Sequence, residues 1–262
     1  PPELAVKRIR PMTQQTLPRL RILKLPGMAD AVQQQLEHAS TYEGLPFIER
    51  LSLLVEHGQL SKEQRKQARL VKQARLKLQA TVQELDYQSA RNLERSQVAN
   101  LAQGEWLRRG QNLLITGPCG CGKTYLACAL GYQACQQGHS TRYYRLPRLL
   151  LERSQAKVEG SYARLLGQLA RIELLILDDW GLEAVNAEQR NALLEIMDDR
   201  YGKYSTVVVS QLPTEEWYAS LGDNTLADAI LDRLMHNAHR LSLKGESMRK
   251  RRSELTQSEH SS

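Results

Sequence analysis

ITGPCGCGKTYLACALG, Ile115–Gly131, is the stretch whose reading decides the fold. Two cysteines sit two apart in a glycine-rich run, and Cys128 and Cys135 follow on what reads as a helix. The choice is between a metal site and a phosphate cradle. Gly117–Thr124, GPCGCGKT, fits G-x-x-x-x-G-K-[ST], with the apolar run NLLIT (112–116) before it and a helical pattern from Lys123 after it. Gly117, Gly120 and Gly122 let the backbone wrap an anion with its N–H groups turned inward. The helix start adds its positive dipole end. Lys123 can reach the β- and γ-phosphates, and the Thr124 hydroxyl can ligate Mg²⁺. The binding set is Gly117, Pro118, Cys119, Gly120, Cys121, Gly122, Lys123, Thr124 and Tyr125, and the ligand expected is ATP with Mg²⁺. Zinc would need four convergent thiolates, which a C-x-C on such a loop does not supply. Cys128 and Cys135 read as small buried hydrophobes. Cys119 and Cys121 fill variable loop positions, where a helix N-terminus makes thiols open to oxidation.

A phosphate loop alone hydrolyses nothing. LLILDDWG (174–181) supplies four apolar residues and then two aspartates, 61 positions after Gly117. A buried strand of this kind emerges beside the loop. Asp178 is the expected metal ligand, and Asp179 the group that polarises the attacking water. Gln211 follows the strand STVVVSQ (205–211). It either orients water against the γ-phosphate or simply ends the strand. TRYYRL (141–146) reads as another strand and RNALLEIMDDRYG (190–202) as a helix. Strands alternating with helices predict an α/β fold, a parallel sheet covered on both faces.

The N-terminal part differs. Residues 1–80 hold 14 Lys/Arg against 7 Asp/Glu, while the other 182 residues hold 22 of each, so the net charge of +7 resides there. Such an excess suits a polyanionic partner. Residues 1–18 carry four prolines and read as a basic arm. Residues 19–80 read as a small all-helical domain: Phe47, Leu51, Leu54 and Val55 share a face, Gly58 is an expected stop, and Ser61 with Gln64 forms a capping box. The long helix that follows carries the stripe Val71, Ala74, Leu78, Val82 and Leu85, with Lys62, Arg65, Arg69, Lys72 and Arg75 on another face. Residues 81–247 read as the ATPase domain and 248–262 as a basic, then polar tail. No apolar run approaches the ~20 residues of a membrane span, and the N-terminal stretch has no apolar core of a secretory signal. Four cysteines confined to 119–135 are no disulfide framework, so a reducing cytoplasm is the expected compartment.

In this order, GPCGCGKTYLACALG, LLILDDWGL, VVVSQLP, LADAILDRLMHNAHRLSL and ESMRK resemble the IstB family, ATPase helpers of insertion-sequence transposition in bacteria. That family is related to the DnaC helicase loader and the DnaA initiator within the AAA+ ATPases. The resemblance runs from about Leu20 to Lys250. It implies an AAA+ P-loop core and an ATPase that assembles into a spiral or ring-like homo-oligomer, binds duplex DNA and serves a transposase. By it, Arg233 is similar to the arginine finger that reaches a neighbouring subunit's γ-phosphate. Arg249 is similar to the sensor-two arginine, and Gln211 occupies the sensor-one position. Two departures stand out. Asp179 replaces the Glu of most AAA+ ATPases, and with few residues after Arg249 a C-terminal lid is expected to be missing or vestigial.

Two basic surfaces compete for the polyanion. One is the stripe Lys62–Lys77. The other is RLPRLLLERSQAKVEG (145–160), where initiator-type relatives carry an extra helix that touches DNA; Arg148, Arg153 and Lys157 are its candidates. No base-reading module is evident, so binding is expected through phosphates and largely independent of sequence. The N-terminal helices could serve DNA, a protein partner or subunit contacts. A helicase loader would use the same engine for a different client. A small-molecule kinase would need an acceptor pocket and no arginine finger.

Overall fold

The computed structural model describes residues 15–87, 91–222 and 224–245. The chain divides into two compact units, Pro1–Arg69 and Leu70–Ser262. The division falls inside a helix, before the expected boundary at 80/81.

In the first unit, α1 (15–22), α2 (Pro26–Glu37) and α3 (Ala39–Tyr42) precede α4, Phe47–Ala74. Pro26 opens α2, where a missing N–H costs nothing. α2 runs antiparallel to α4: His57 Nδ1 lies 2.8 Å from the Gly27 carbonyl at one end, and Gln35 Nε2 donates to the Arg50 carbonyl at the other. Gly58 does not stop the helix. It lies inside α4 because a Cβ there would sit 2.6 Å from Met28 Cγ. Gly27 likewise faces Ser61, whose Cβ would be 2.4 Å away. Close approach, not termination, explains both glycines. Ser61 is mid-helix, not a cap, and its Oγ accepts from Arg65. Phe47 and Val55 are exposed rather than on a buried stripe.

In the second unit α4 ends at Ala74, Arg75 turns with φ +50°, and a single 3-10 turn covers Val82–Glu84. The expected longer helix is thus cut short. α5 (Arg95–Ala102) and α6 (Glu105–Arg108) lead into β1, Asn112–Thr116. Then come α7 (Lys123–Gln136), β2 (Thr141–Arg145), α8 (Leu146–Val158), α9 (Tyr162–Leu169) and β3 (Leu174–Trp180). α10 (Ala187–Arg200) starts from a capping box, Asn186 with Gln189. β4 (Ser205–Ser210), α11 (Trp217–Leu221), α12 (Asn224–Met235) and β5 (Ala238–Ser242) complete the unit.

All five strands are parallel, in the order β2-β3-β4-β1-β5. Side chains alternate between faces. Leu113, Ile115, Leu174, Ile176, Val207 and Val209 pack with α5 and α7. Leu114, Leu175, Leu177 and Val208 pack with α8 to α12. This is the expected α/β architecture, a parallel sheet between helices with a helical N-terminal region. β5 was not foreseen as a strand. It is an edge strand, mostly exposed, and HRLS carries little apolar pattern.

Because β4 lies between β1 and β3, Val208 pairs with both Leu114 and Leu177. The C-terminal ends of these three strands therefore open onto one edge of the sheet. That edge carries the loop after β1, the aspartates ending β3, and Gln211 after β4.

Candidate nucleotide site

The loop after β1 is shaped by close backbone approaches. Gly117 has φ +144°, and a Cβ on it would lie 2.4 Å from the Leu243 carbonyl oxygen, just past the end of β5. Gly122 has φ +94° and begins α7 as its N-cap. A Cβ there would lie 2.8 Å from Arg91 Nη1. Only glycine fits both positions. Lys123 is buried, and its ammonium donates to the carbonyls of Gly117 and Pro118, each at 2.7 Å. The lysine is thus folded into the cradle its own loop makes.

Asp178 is 2% exposed and fully engaged. Its Oδ2 accepts from the Thr124 hydroxyl at 2.9 Å and from the Tyr143 hydroxyl at 2.6 Å. Its Oδ1 accepts from the Asp179 N–H at 2.8 Å. The Lys77 ammonium lies 3.9 Å from Oδ2. Burial, then the bond to Asp178, pushes the Tyr143 phenol far above its usual range, so it stays a donor. Asp179 has φ +62°, and the pairing of β3 with β4 slips between Leu177 and Trp180. Its carboxylate accepts from Arg145 Nε, at the end of β2. That pairing holds the guanidinium above its ordinary range.

A cavity of about 370 Å³ joins Gly120, Gly122, Lys123, Thr124 and Tyr125 to Asp178, Asp179 and Gln211, with exposed Cys119 at its lip. Nine of the expected residues thus meet in one place: Cys119, Gly120, Gly122, Lys123, Thr124, Tyr125, Asp178, Asp179 and Gln211. The cavity's other wall is Lys77, Leu78, Glu84, Leu85, Asp86 and Arg91. These lie in no motif, and neither do Tyr143 and Arg145. Tyr143 pairs with Ile176, two residues before Asp178 on the same face, a register that no sequence motif displays. Cys121, Cys128 and Cys135 are buried, and burial pushes the Cys128 and Cys135 thiols up.

The other expected residues lie elsewhere. Arg233 is near the end of α12, where its guanidinium pairs with Asp198 and donates to the Ala229 carbonyl. The Arg233 carbonyl accepts from Asn112, the first residue of β1, so Arg233 stands at the far end of the sheet from the loop. Arg249 lies outside the described residues. Arg148 is exposed beside Glu152, and Lys157 pairs with Glu188. Arg153 is corrected. Its side chain is 5% exposed, bonds the Tyr162 hydroxyl and the Glu188 carbonyl, and stacks over the Tyr162 ring. A guanidinium committed in this way ties α8 to α9 and α10 and is not offered to a duplex. Among the described residues no helix is long and apolar enough to cross a membrane.

Residues 18–256 match the family model described as IstB-like ATP binding protein. The insertion sequence ATP-binding protein y4pL of Sinorhizobium fredii is 46% identical over 235 residues, 90% of this chain and 96% of that protein. The insertion sequence IS1162 ATP-binding protein of Pseudomonas fluorescens is 47% identical over 204 residues, 78% of this chain and 88% of that protein. Among solved structures, the replication initiator DnaA bound to AMPPCP and single-stranded DNA aligns with a TM-score of 0.55 at 16% identity. It covers 66% of this chain and 52% of its own, a likeness of fold alone. With its phosphate loop, acidic strand end and sheet order in place, the chain belongs to the IstB-like ATP-binding family of insertion sequences.

Proposed function

We propose that the chain is an oligomerising, DNA-binding ATPase that prepares target DNA for a transposase. The observation that carries this reading is a separation across one sheet. Lys123, Thr124, Asp178, Asp179 and Gln211 gather at its C-terminal edge, while Arg233 stands where β1 begins. A strand of this length spans about 16 Å. A guanidinium at that end is badly placed for its own subunit's phosphates and well placed for a neighbour's. Each hydrolytic centre is then completed by a second copy, and ATP holds the copies together.

Within one subunit, loop N–H groups and Lys123 bind the phosphates, Asp179 takes the proton of the attacking water, and Gln211 orients that water. The residues present fit a divalent cation. The Thr124 hydroxyl and the Asp178 carboxylate are hard oxygen donors already 2.9 Å apart, beside the loop. They would hold Mg²⁺, which when bound neutralises charge on the β- and γ-phosphates. The relatives are ATP-binding proteins of insertion sequences, and the transposase as client is what the IstB resemblance implies. Arg148, and Lys157 once released from Glu188, remain the DNA candidates on α8.

The test is the ATPase rate with and without duplex DNA across a salt series, followed by a pull-down with the cognate transposase. Stimulation that fades as salt rises, and retention of the transposase, are expected. A chain that stays monomeric with ATP and duplex present, and hydrolyses ATP indifferently to DNA, would overturn the reading.

A further inference from the structure

Lys77 is the last charge of the basic stripe that runs from Lys62, and it borders the nucleotide cavity. Its ammonium lies 3.9 Å from Asp178 Oδ2, the same oxygen that accepts from Thr124. The segment presenting it is seated firmly. Ala74 is fully buried. Leu76 packs on α7 over Gly131, where a Cβ would lie 3.0 Å from Leu76 Cδ2 and 2.8 Å from Ile176 Cδ1. The backbone of Lys77 and Leu78 lies beside the Cys128 thiol, one helical turn after Thr124. The lysine is therefore delivered to the carboxylate by a fixed backbone, while its side chain is still 39% exposed and able to swing away.

We propose that Lys77 is a tethered counter-ion at the metal position: its ammonium neutralises Asp178 when no metal is bound, and Mg²⁺ must displace it. The inference rests on the nucleotide-site reading. Asp178 is nearly inaccessible to water, and a buried carboxylate without a cation is unfavourable. Lys123 does not serve it, because that ammonium is bonded to Gly117 and Pro118. Among the described residues, Lys77 is the cation paired with Asp178. Its role is positional: it sets the metal concentration at which the site loads and takes no part in bond making.

The experiment is Mn²⁺ binding to the nucleotide-free full chain, read from the free-ion electron paramagnetic resonance signal, with Mn²⁺ plus ATP as a parallel arm. Removing the competing charge in Lys77→Gln should tighten nucleotide-free Mn²⁺ binding by about three- to fivefold, the scale of a partly exposed ion pair. Lys77→Arg keeps the charge and should stay close to wild type. Unchanged or weaker Mn²⁺ binding in Lys77→Gln overturns the proposal, even where wild type binds Mn²⁺ with ATP normally. Wild type that takes up Mn²⁺ in neither arm overturns the nucleotide-site reading and this inference with it.

Discussion

Arg145 Nε donates to Asp179 Oδ2, so the second strand-end carboxylate is already held by a cation from the neighbouring strand. Arg145 is also the residue from which α8 starts. Asp179 reaches it from a left-handed backbone, a conformation a non-glycine residue keeps only where its surroundings impose it. A carboxylate oxygen engaged this way has less capacity to accept from water. Arg145→Ala is expected to raise DNA-independent hydrolysis by up to about tenfold, a part of what a general base supplies. ATP affinity should be unchanged. Phosphate release without DNA is the measurement, and a fall in rate would show that Arg145 orients Asp179 rather than restrains it.

Tyr143→Phe removes one of the three hydrogen bonds to Asp178. A bond to an ionised group is worth about 1.5–3 kcal/mol, so a loss of about 3–12 °C in Tm is expected for a domain of this size. The pH dependence has a definite sign. The folded state raises the phenol above its ordinary value of 10.0, so its contribution is complete below that pH and is lost as pH rises beyond it. Alkaline unfolding should therefore be steeper in wild type than in Tyr143→Phe. Identical alkaline limbs would mean that Tyr143 is not held protonated by the fold.

The phosphate loop and acidic pair were legible because their chemistry demands fixed residue types at fixed spacing. The strands of the sheet interior were legible because burial on both faces forces continuous apolar runs such as LLIL. Gly58 was misread because a glycine that ends a helix and one that admits a neighbouring helix look the same in sequence; Met28, thirty positions away, decides. Arg153 failed for a related reason. Its charge is visible in sequence, while Tyr162 and Glu188, which claim it, come from other elements. Lys77 and Tyr143 reach Asp178 only through the fold, and no local pattern marks them.

Arg148 and Arg153, five residues apart on α8, should behave in opposite ways. Arg153→Ala leaves Tyr162, Glu188 and Glu195 without their shared partner, and about 2–4 kcal/mol of stability should go with it. Arg148→Ala should stay within about 0.5 kcal/mol of wild type. Its duplex binding should weaken, with the slope of log K against log salt reduced by about 1. Denaturant titrations and binding isotherms at several salt concentrations separate the two. A stable Arg153→Ala protein with a shallower salt slope would restore Arg153 as a DNA contact.

Gly27→Ala tests the helical hairpin. The added methyl would start 2.4 Å from Ser61 Cβ, an atom fixed by the α4 backbone. Overpacking of this kind costs about 1–3 kcal/mol. The loss should appear as faster amide exchange in α2 and the facing turns of α4, with exchange in the strands of the second unit unchanged. Protection equal to wild type in α2 would mean that the two helices part without cost.

Arg233 offers the sharpest test of assembly. Its guanidinium is paired with Asp198 and bonded to the Ala229 carbonyl, so reaching a neighbour's phosphate means giving up at least the exposed ion pair. That pair is worth little in water, so the arginine is restrained but available. Arg233→Ala should keep ATP affinity and lose about 10³-fold in hydrolysis rate. Lys123→Ala should lose ATP binding at its own loop while keeping an intact Arg233. Neither variant turns over alone. Mixed, they form junctions in which an intact loop on one copy meets an intact arginine on the other, and hydrolysis should return to a measurable fraction of wild type. A finger acting within its own subunit gives no recovery at any mixing ratio, and that result would remove the need for a second copy at the centre.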